Sequence, residues 1–423
     1  MSAWAAIGWG LRSRRESEAP RSLDAANEAR GSMSSTLADQ RAEWRARVAG
    51  IGDTLRGESE ANEELRQLSP ATEAALRSVD AFRLCSPAEL GGINAHPRLQ
   101  TQVIADITAH DSSAGWCALI GAHESAWLAS RLPDSAVERI FADSAARWPV
   151  TCGSIAPEGE AEQVEGGWMV TGRWGWASGI HHSDYVLSMS RITGREPEPG
   201  MPPPLLCAAA PKADVVVEDT WRTLGMRGTG STHYRYERVF VPDEMCLAGF
   251  ERPPLRGDGW LARPTVTFLT AAGYGFPLGV AKRAIEEITE QATSHTRTGQ
   301  RASISEQQHF QGDLGRCVAL VEAMEGYGHH LFDELLSAPI NSLEDAVLMD
   351  DRARAALRWA HQAAEDVVRT AHEHAGGPAV YSDNVLARLL RDIQTASQHV
   401  IQTQSAYIRR GQHQLGMPVR PGL

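Results

Sequence analysis

The sequence lacks the short motifs that identify several large enzyme classes. It contains no phosphate-binding P-loop, no HExxH pair of zinc-binding histidines and no GxSxG turn, so a P-loop hydrolase, a zinc protease and a serine hydrolase are not indicated. The glycine-containing stretch GMRGTG at 225–230 lies among predicted strands, where it cannot open the helix of a dinucleotide-binding fold. The chain therefore has no predicted site for a nicotinamide cofactor.

Cysteine is scarce, and its spacing does not suggest metal or redox chemistry. The six cysteines contain no CxxC pair, which excludes a zinc ribbon and a thioredoxin-type motif. His372 and His374 are two positions apart on a predicted helix, so they face different directions and cannot share a metal. We therefore expect no metal site. No apolar run is long enough to span a bilayer and no apolar-cored leader is evident, so we expect no membrane association and a cytoplasmic location.

Positive charge is in the minority. The chain has 41 Lys and Arg against 53 Asp and Glu, which gives a formal net charge of -12. Such a protein gains nothing from the phosphate backbone of a nucleic acid, so a nucleic-acid partner is not expected. Its 423 residues, of which 42% are hydrophobic, are enough for a large core and for two or three domains.

Hydropathy patterns divide the chain into four regions. Residues 1–40 are rich in Ser, Arg, Glu and Ala and predict a flexible extension, in which Met33 is an alternative natural start. Residues 41–145 have apolar positions at helical spacing and predict a helical domain. Residues 146–255 break into short alternating runs separated by turn residues, which predicts a β domain of six to eight strands, built as a barrel or sandwich. Residues 256–423 return to helical patterns.

The C-terminal region predicts four long helices in succession, which is typical of an antiparallel bundle. The clearest helix, MDDRARAALRWAHQAAEDVVRTAHEHAGG, has an acidic first turn, a stripe of alanines and a Gly-Gly-Pro stop. A last helix is predicted from about Asp383 to Arg410, which places His399 about two turns beyond Asp392 on nearly the same face. The predicted fold class is therefore α+β, in the order helical domain, β domain and four-helix bundle.

Three segments resemble the acyl-CoA dehydrogenase superfamily. The stretch GGWMVTGRWGWASG at 166–179 resembles the strand pair that backs the flavin ring, and WRTLGMRGTGSTHYRYERVFVP at 221–242 resembles a second strand pair of the family. The stretch AGGPAVYSDNVLARLLRDIQTASQH at 375–399 resembles the segment that joins the last two bundle helices. The three occur in the family's order, and the resemblance extends over about 44–415. It implies an acyl-CoA dehydrogenase-like fold and a bound flavin.

The superfamily contains both dehydrogenases and flavin-dependent monooxygenases. A dehydrogenase needs a carboxylate base to remove a substrate proton, and many members carry a Glu shortly after the Arg-Asp pair of the third segment. Here the stretch IQTASQHVIQTQSAY that follows Asp392 has no Asp or Glu. The histidine seven residues after Asp392, the stretch ASGIHHSDY and His123 in GAHESAW resemble the monooxygenase branch instead.

This resemblance implies roles for three catalytic side chains. His399 and His123 are expected to flank the substrate, because an imidazole with a near-neutral pKa can move a proton. Ser178 resembles the serine that contacts flavin N5, since a hydroxyl can donate or accept there. From the residues alone, ordinary alternatives stay open: a histidine satisfied by a neighbour, and a turn serine before Gly179.

Further residues are expected to bind the cofactor. Trp176 is expected on the same sheet face as Ser178, against the flavin ring, although a plain core role is its alternative. The remaining cofactor candidates are Ser154 and Thr151 at the pyrimidine edge, Arg297 (with Arg301 as a rival) at the phosphate across a subunit interface, and Gly377 in the AGG turn.

The resemblance also implies a reaction and partners. We expect the oxygenase component of a two-component monooxygenase, which uses reduced FMN or FAD from a separate NAD(P)H-dependent flavin reductase and oxygenates an aromatic, phenolic or polyketide-like molecule through a C4a-hydroperoxyflavin. A homotetramer is implied as well. Three alternatives stay open: an N-oxygenase of an amino sugar or amine, a true acyl-CoA dehydrogenase with its base elsewhere, and a non-catalytic scaffold. The sequence does not choose between FMN and FAD.

Overall fold

The computed structural model describes residues 36–195, 197, 203–249, 253–294 and 303–418. The first described region is helical, and polar caps fix where its helices begin. Thr36 and Asp39 form a reciprocal capping box, and the Ser69 and Asp111 side chains accept hydrogen bonds from backbone N–H groups of the helices that follow them. The helices are α1 (Leu37–Leu65), α2 (Pro70–Ser78), α3 (Pro97–His110), α4 (Ser112–Arg131) and α5 (Asp134–Phe141).

In the part of the chain that the structure describes, the central region forms one seven-stranded mixed sheet, in the order β5-β6-β2-β1-β3-β4-β7. Only β1 and β3 run parallel; the other neighbouring pairs are antiparallel. The strands are β1 (Thr151–Val164), β2 (Gly167–Ala177), β3 (Tyr185–Ile192), β4 (Leu205–Pro211), β5 (Val216–Val217), β6 (Thr232–Pro242) and β7 (Cys246–Ala248). The predicted β region between two helical regions is thus confirmed.

The C-terminal region contains three helices of 30 or more residues followed by two short ones. They are α6 (Thr265–Ser294), α7 (Gln308–Ser337), α8 (Leu343–Ala375), α9 (Val385–Ala396) and α10 (Ser405–Gln414). Helix α6 lies directly on α3, because Gly275 and Gly279 bring the two backbones together. An added Cβ at either glycine would lie 2.4 Å from a carbonyl oxygen of α3. This contact joins the first helical region to the bundle.

The prediction of one continuous last helix from Asp383 to Arg410 is wrong. Helix α9 ends at Ala396, a short 3-10 turn spans Val400–Gln402, and α10 begins at Ser405. Side chains compete with the helical backbone at the break: the Ser397 hydroxyl donates to Glu365 Oε1 at 2.5 Å, and the His399 ring accepts from the Ile401 N–H. His399 therefore lies in a break between helices and not on a helix face two turns from Asp392.

Asp392 holds three parts of the fold together. Its buried carboxylate accepts from the Ser112 hydroxyl of α4 and, at 2.5 Å, from the backbone N–H of Met226 before β6. Burial raises the pKa of Asp392 to about 6. Neighbouring Arg391 pairs instead with Glu63 of α1 at 3.4 Å.

Among the described helices, none is long and apolar enough to cross a membrane.

Candidate functional site

A cavity of about 1060 Å³ lies where α4, the sheet, α6 and the break after α9 meet. Its volume is at the upper end of the range for small-molecule sites, so it can hold a large planar ligand and a second small molecule. The lining is mainly apolar, with a few polar groups directed inward. Among the described residues, no cluster of His, Cys, Asp and Glu side chains could hold a metal ion.

Helix α4 contributes one face to this cavity. Six residues of this helix line the cavity, at the spacing of a single helical face: Trp116, Leu119, Ile120, His123, Glu124 and Trp127. His123 is 3% exposed, its ring lies 5.2 Å from that of Phe268, and its Nε2 has no hydrogen-bond partner among the described residues. Burial lowers the pKa of His123 to about 3, so the ring is neutral at physiological pH.

His399 also lines the cavity, from the break between α9 and α10. Its Nδ1 accepts from the Ile401 N–H at 3.4 Å, which fixes the backbone turn, and its ring lies 5.7 Å from that of Trp116 in an edge-to-face arrangement. Burial lowers the pKa of His399 to about 4. The structure therefore brings both predicted histidines to one cavity, each as a neutral imidazole.

Ser178 follows the end of β2 and reaches the same cavity. Its hydroxyl oxygen accepts from Trp116 Nε1 at 2.9 Å and lies 2.7 Å from the hydroxyl of Ser231, which in turn lies 2.6 Å from the hydroxyl of Thr229. This chain of hydroxyls holds the Ser178 side chain in one position. It can supply either a donor or an acceptor to a ligand at the cavity wall.

Trp176 departs from the strict alternation that was expected for it. The ladder between β2 and β6 shifts register between Trp174 and Ala177, and Trp176 adopts a left-handed backbone with φ of 65°. As a result Trp174 is fully buried, whereas Trp176 is 64% exposed and lines the cavity. A left-handed tryptophan is uncommon and marks a locally strained backbone at the edge of the site.

The other cofactor candidates lie at different places. Ser154 on β1 lines the cavity, and its hydroxyl accepts from the Ala156 N–H at 3.3 Å. Thr151 is buried behind it and donates its N–H to the Ser125 hydroxyl at 3.0 Å, so it belongs to the joint between β1 and α4. Gly377 begins a short turn after α8 and is not part of the cavity lining. Arg297 and its rival Arg301 lie outside the described residues.

Sequence reasoning missed Glu124. It follows His123 on the cavity face of α4, its Oε2 is buried without a hydrogen-bond partner among the described residues, and burial raises its pKa to about 8. The signal was available in the sequence: Ile120, Glu124 and Trp127 share the helical face of His123.

The cavity fits a flavin. Its size accommodates a planar tricyclic ring, Ser178 offers a hydroxyl at the wall, and the unpartnered Nε2 of His123 is a polar atom that a ligand could satisfy. Ser178, Trp176 and Ser154 are the cavity residues that would hold it.

Comparison with known proteins agrees with this geometry. Residues 273–404 match the family model for the acyl-CoA dehydrogenase C-terminal domain. The chain is 26% identical to the indole-3-acetate monooxygenase of Pseudomonas putida, over 84% of this chain and 90% of that protein. It is 30% identical to the flavin-dependent monooxygenase oxygenase subunit HsaA of Rhodococcus jostii, over 55% of this chain and 58% of that protein.

A solved structure extends the likeness to the whole fold. XiaF from Streptomyces sp., in complex with FADH2 and glycerol, superposes with a TM-score of 0.81 at 24% identity, over 92% of this chain and 98% of that one. The predicted fold class and resemblance are therefore confirmed. The chain has an acyl-CoA dehydrogenase-like fold, its residues 273–404 match the acyl-CoA dehydrogenase C-terminal domain, and the relatives to which it is similar include monooxygenases.

Proposed function

We propose that this chain is the oxygenase component of a two-component monooxygenase, which receives reduced FMN or FAD from a separate NAD(P)H-dependent reductase and hydroxylates an aromatic compound with O2. The observation that carries the proposal is the meeting of Ser178, His123 and His399 around one largely apolar cavity. The relative described as an oxygenase subunit supports the need for a reductase, because an oxygenase subunit acts with a second component.

Each residue has a chemical task in this proposal. Reduced flavin, when bound, supplies the electrons that activate O2. The Ser178 hydroxyl, held by Trp116 and Ser231, would donate a hydrogen bond to the flavin or accept one from it. Because Nδ1 of the neutral His399 ring accepts from the Ile401 N–H, the ring proton lies on Nε2, which can donate a hydrogen bond to an oxygen atom of the substrate. The apolar lining excludes water, which protects a reactive oxygen species from wasteful decay.

A homotetramer remains part of the proposal. Val318 and Tyr327 of α7 are exposed apolar residues on the long helices of the bundle, and Tyr327 packs edge-to-face on Trp359 of α8 at 5.4 Å. Such a surface is suited to burial against another copy of the chain.

The first experiment mixes the purified protein with reduced FMN or FAD without oxygen, adds a panel of phenols, and then admits ¹⁸O-labelled O2. We expect a product that carries one labelled oxygen, formed only when protein, reduced flavin and phenol are all present. A parallel arm supplies acyl-CoA thioesters with an artificial electron acceptor, because Glu124 places a carboxyl group in the cavity. Reduction of the acceptor without labelled product would overturn the oxygenase proposal in favour of a dehydrogenase.

A further inference from the structure

Glu124 is placed to meet whatever enters the cavity. It lies on the face of α4 that lines the cavity, one turn after Ile120 and one turn before Trp127. Its Oε2 is sealed from solvent and has no hydrogen-bond partner among the described residues. An unpaired buried carboxyl oxygen is costly, and such atoms usually have a partner that the protein alone does not supply.

The groups around Glu124 carry no compensating positive charge. His123 precedes it on α4, and from the sheet the thiols of Cys152 and Cys207 and the phenol of Tyr234 interact with it electrostatically. The Tyr234 hydroxyl already donates to the carbonyl of Leu187. Burial alone accounts for the raised pKa of Glu124, about 8, so the carboxyl is protonated and neutral at pH 7.

The whole lining shares this neutrality. His123 and His399 are uncharged at pH 7 because burial lowers the pKa of each ring. Among the described lining residues there is no Lys, Arg or Asp. A carboxylate on a substrate would therefore enter a low-dielectric space without a cation to balance it, and this is strongly unfavourable. A neutral substrate with one hydrogen-bonding group meets no such penalty.

We propose that Glu124 is a specificity-determining residue: its carboxyl group hydrogen-bonds a hydroxyl or carbonyl group of a neutral aromatic substrate, and the cavity discriminates against aromatic compounds that carry a carboxylate. This inference rests on the proposed function, since it names the substrate class of the same cavity. Protonated, the carboxyl can donate to a carbonyl or phenol oxygen and can also accept from a phenol hydroxyl. A cationic amine would have to ionise Glu124 and lose its own hydration, so it is the less favoured occupant.

Binding, measured apart from turnover, tests this inference. Equilibrium dialysis at pH 7, with and without added FAD, compares naphthalene, 2-naphthol, 2-naphthoate and 2-naphthylmethylammonium, which differ in one substituent. We expect 2-naphthol to bind at least about 10-fold tighter than either charged probe, in line with the cost of an unbalanced charge. Glu124→Leu should lower the affinity for 2-naphthol about 10-fold, as the loss of one buried hydrogen bond predicts. Its affinity for naphthalene should stay unchanged or increase.

Two further variants control for shape and for general effects of substitution. Glu124→Gln keeps the size and the hydrogen-bonding capacity of the side chain, so its affinity for 2-naphthol should stay within about threefold of that of the unaltered protein. Glu60→Leu, at an exposed position of α1, should change none of the four affinities. An unchanged ratio of 2-naphthol to naphthalene affinity in Glu124→Leu would overturn the inference. So would tightest binding of the ammonium probe, or no binding of 2-naphthol to the unaltered protein with or without FAD.

The outcome is separable from that of the proposed function. Selective binding of 2-naphthol through Glu124, without any labelled product from reduced flavin and O2, would overturn the oxygenase proposal and keep the role of Glu124. If the unaltered protein and Glu124→Leu both form labelled product, and with the same preference among the substrates, the oxygenase proposal stands and the role of Glu124 is overturned.

Discussion

Two walls of the cavity are built in different ways. The α4 wall belongs to one uninterrupted 20-residue helix and is formed by Trp116, Leu119, Ile120, His123, Glu124 and Trp127. The break wall, residues 396–402, consists of short turns that keep several backbone hydrogen bonds, and side chains such as that of Ser397 add further ones. Each wall presents one neutral histidine. The two walls therefore differ in regularity: the α4 wall is a continuous helix, whereas the shape of the break wall depends in part on side-chain hydrogen bonds.

The difference in construction suggests a difference in task. Helix α4 is packed tightly: a Cβ at Gly121 would lie 2.6 Å from the ring of Phe82, and one at Gly115 would lie 2.0 Å from the Thr108 hydroxyl. A surface this rigid suits recognition of a substrate. The break wall is anchored by Arg354, which donates to the Ile401 carbonyl at 3.4 Å, and by Ser397. Irregular segments between helices usually open at lower free-energy cost than the helices themselves, which suits ligand entry.

The largest expected effect is a loss of product formation, and it should differ between the two cavity histidines. His399→Ala should lower product formation by about 10²- to 10³-fold, the usual cost of removing one positioned hydrogen-bond donor from the reacting group, while flavin still binds. His123→Ala should cost less, because the α4 wall is assigned to recognition. Product quantified by mass spectrometry, together with flavin affinity from dialysis, measures both effects.

His372→Ala is the matched control, since that ring bonds the Ala379 carbonyl and is not part of the cavity lining; it should leave turnover unchanged. Equal losses for His123→Ala and His399→Ala would erase the distinction between the walls. Retained hydroxylation in His399→Ala would remove that residue from the mechanism.

A smaller effect tests how the break wall is held. Ser397→Ala removes a hydroxyl that donates to Glu365 at 2.5 Å and lies 3.3 Å from His361 Nδ1, leaving buried polar atoms without partners. We expect a loss of about 1–3 kcal/mol in the free energy of unfolding, with faster amide exchange confined to residues 396–404. Urea unfolding and hydrogen-exchange mass spectrometry measure the two quantities.

Ser125→Ala provides the contrast from α4. Its hydroxyl accepts from the Thr151 N–H at 3.0 Å, so its removal should lower stability by a similar amount without changing exchange at 396–404. Unaltered protection of 396–404 in Ser397→Ala would show that other contacts hold this wall.

The same contrast explains what the sequence could predict. Regular segments were accessible, because helical and alternating periods report directly on which residues are buried: the three-part order of the fold and its acyl-CoA dehydrogenase likeness are both confirmed. His123 and Ser178 were also identified, since each lies in or beside a regular element. The structure brings both to the cavity with His399.

Irregular segments were less accessible. The break after Ala396 depends on Ser397 meeting Glu365 and His361 of α8, which are more than 30 residues away in sequence, so a local helical pattern could not reveal it. The register shift that exposes Trp176 likewise depends on pairing with β6. Glu124 was overlooked for a different reason: its burial results from the sheet packed against α4, and burial is what gives the carboxyl its unusual charge state.

The smallest effect concerns the stability of the α4 wall against pH. Burial raises the folded-state pKa of Glu124 from 4.5 to about 8, so between these values the native protein binds more protons at this site than the unfolded chain does. The resulting contribution to stability is complete below about pH 4.5 and is lost as pH rises through about 8. Glu124→Gln cannot ionise and should escape that loss.

We therefore expect Glu124→Gln to gain stability relative to the unaltered protein as pH rises from 5 to 8, by about 1 kcal/mol once partial exposure to the cavity is allowed for. Urea unfolding at several pH values gives the difference between the two proteins, in which the titration of histidines and other carboxyls cancels. Glu60→Gln, exposed on α1, should show no such trend. If the difference in free energy of unfolding between Glu124→Gln and the unaltered protein does not change with pH, the Glu124 carboxyl is solvated in the folded protein. The α4 wall would then accept a charged group, and the proposed contrast in charge tolerance would be lost.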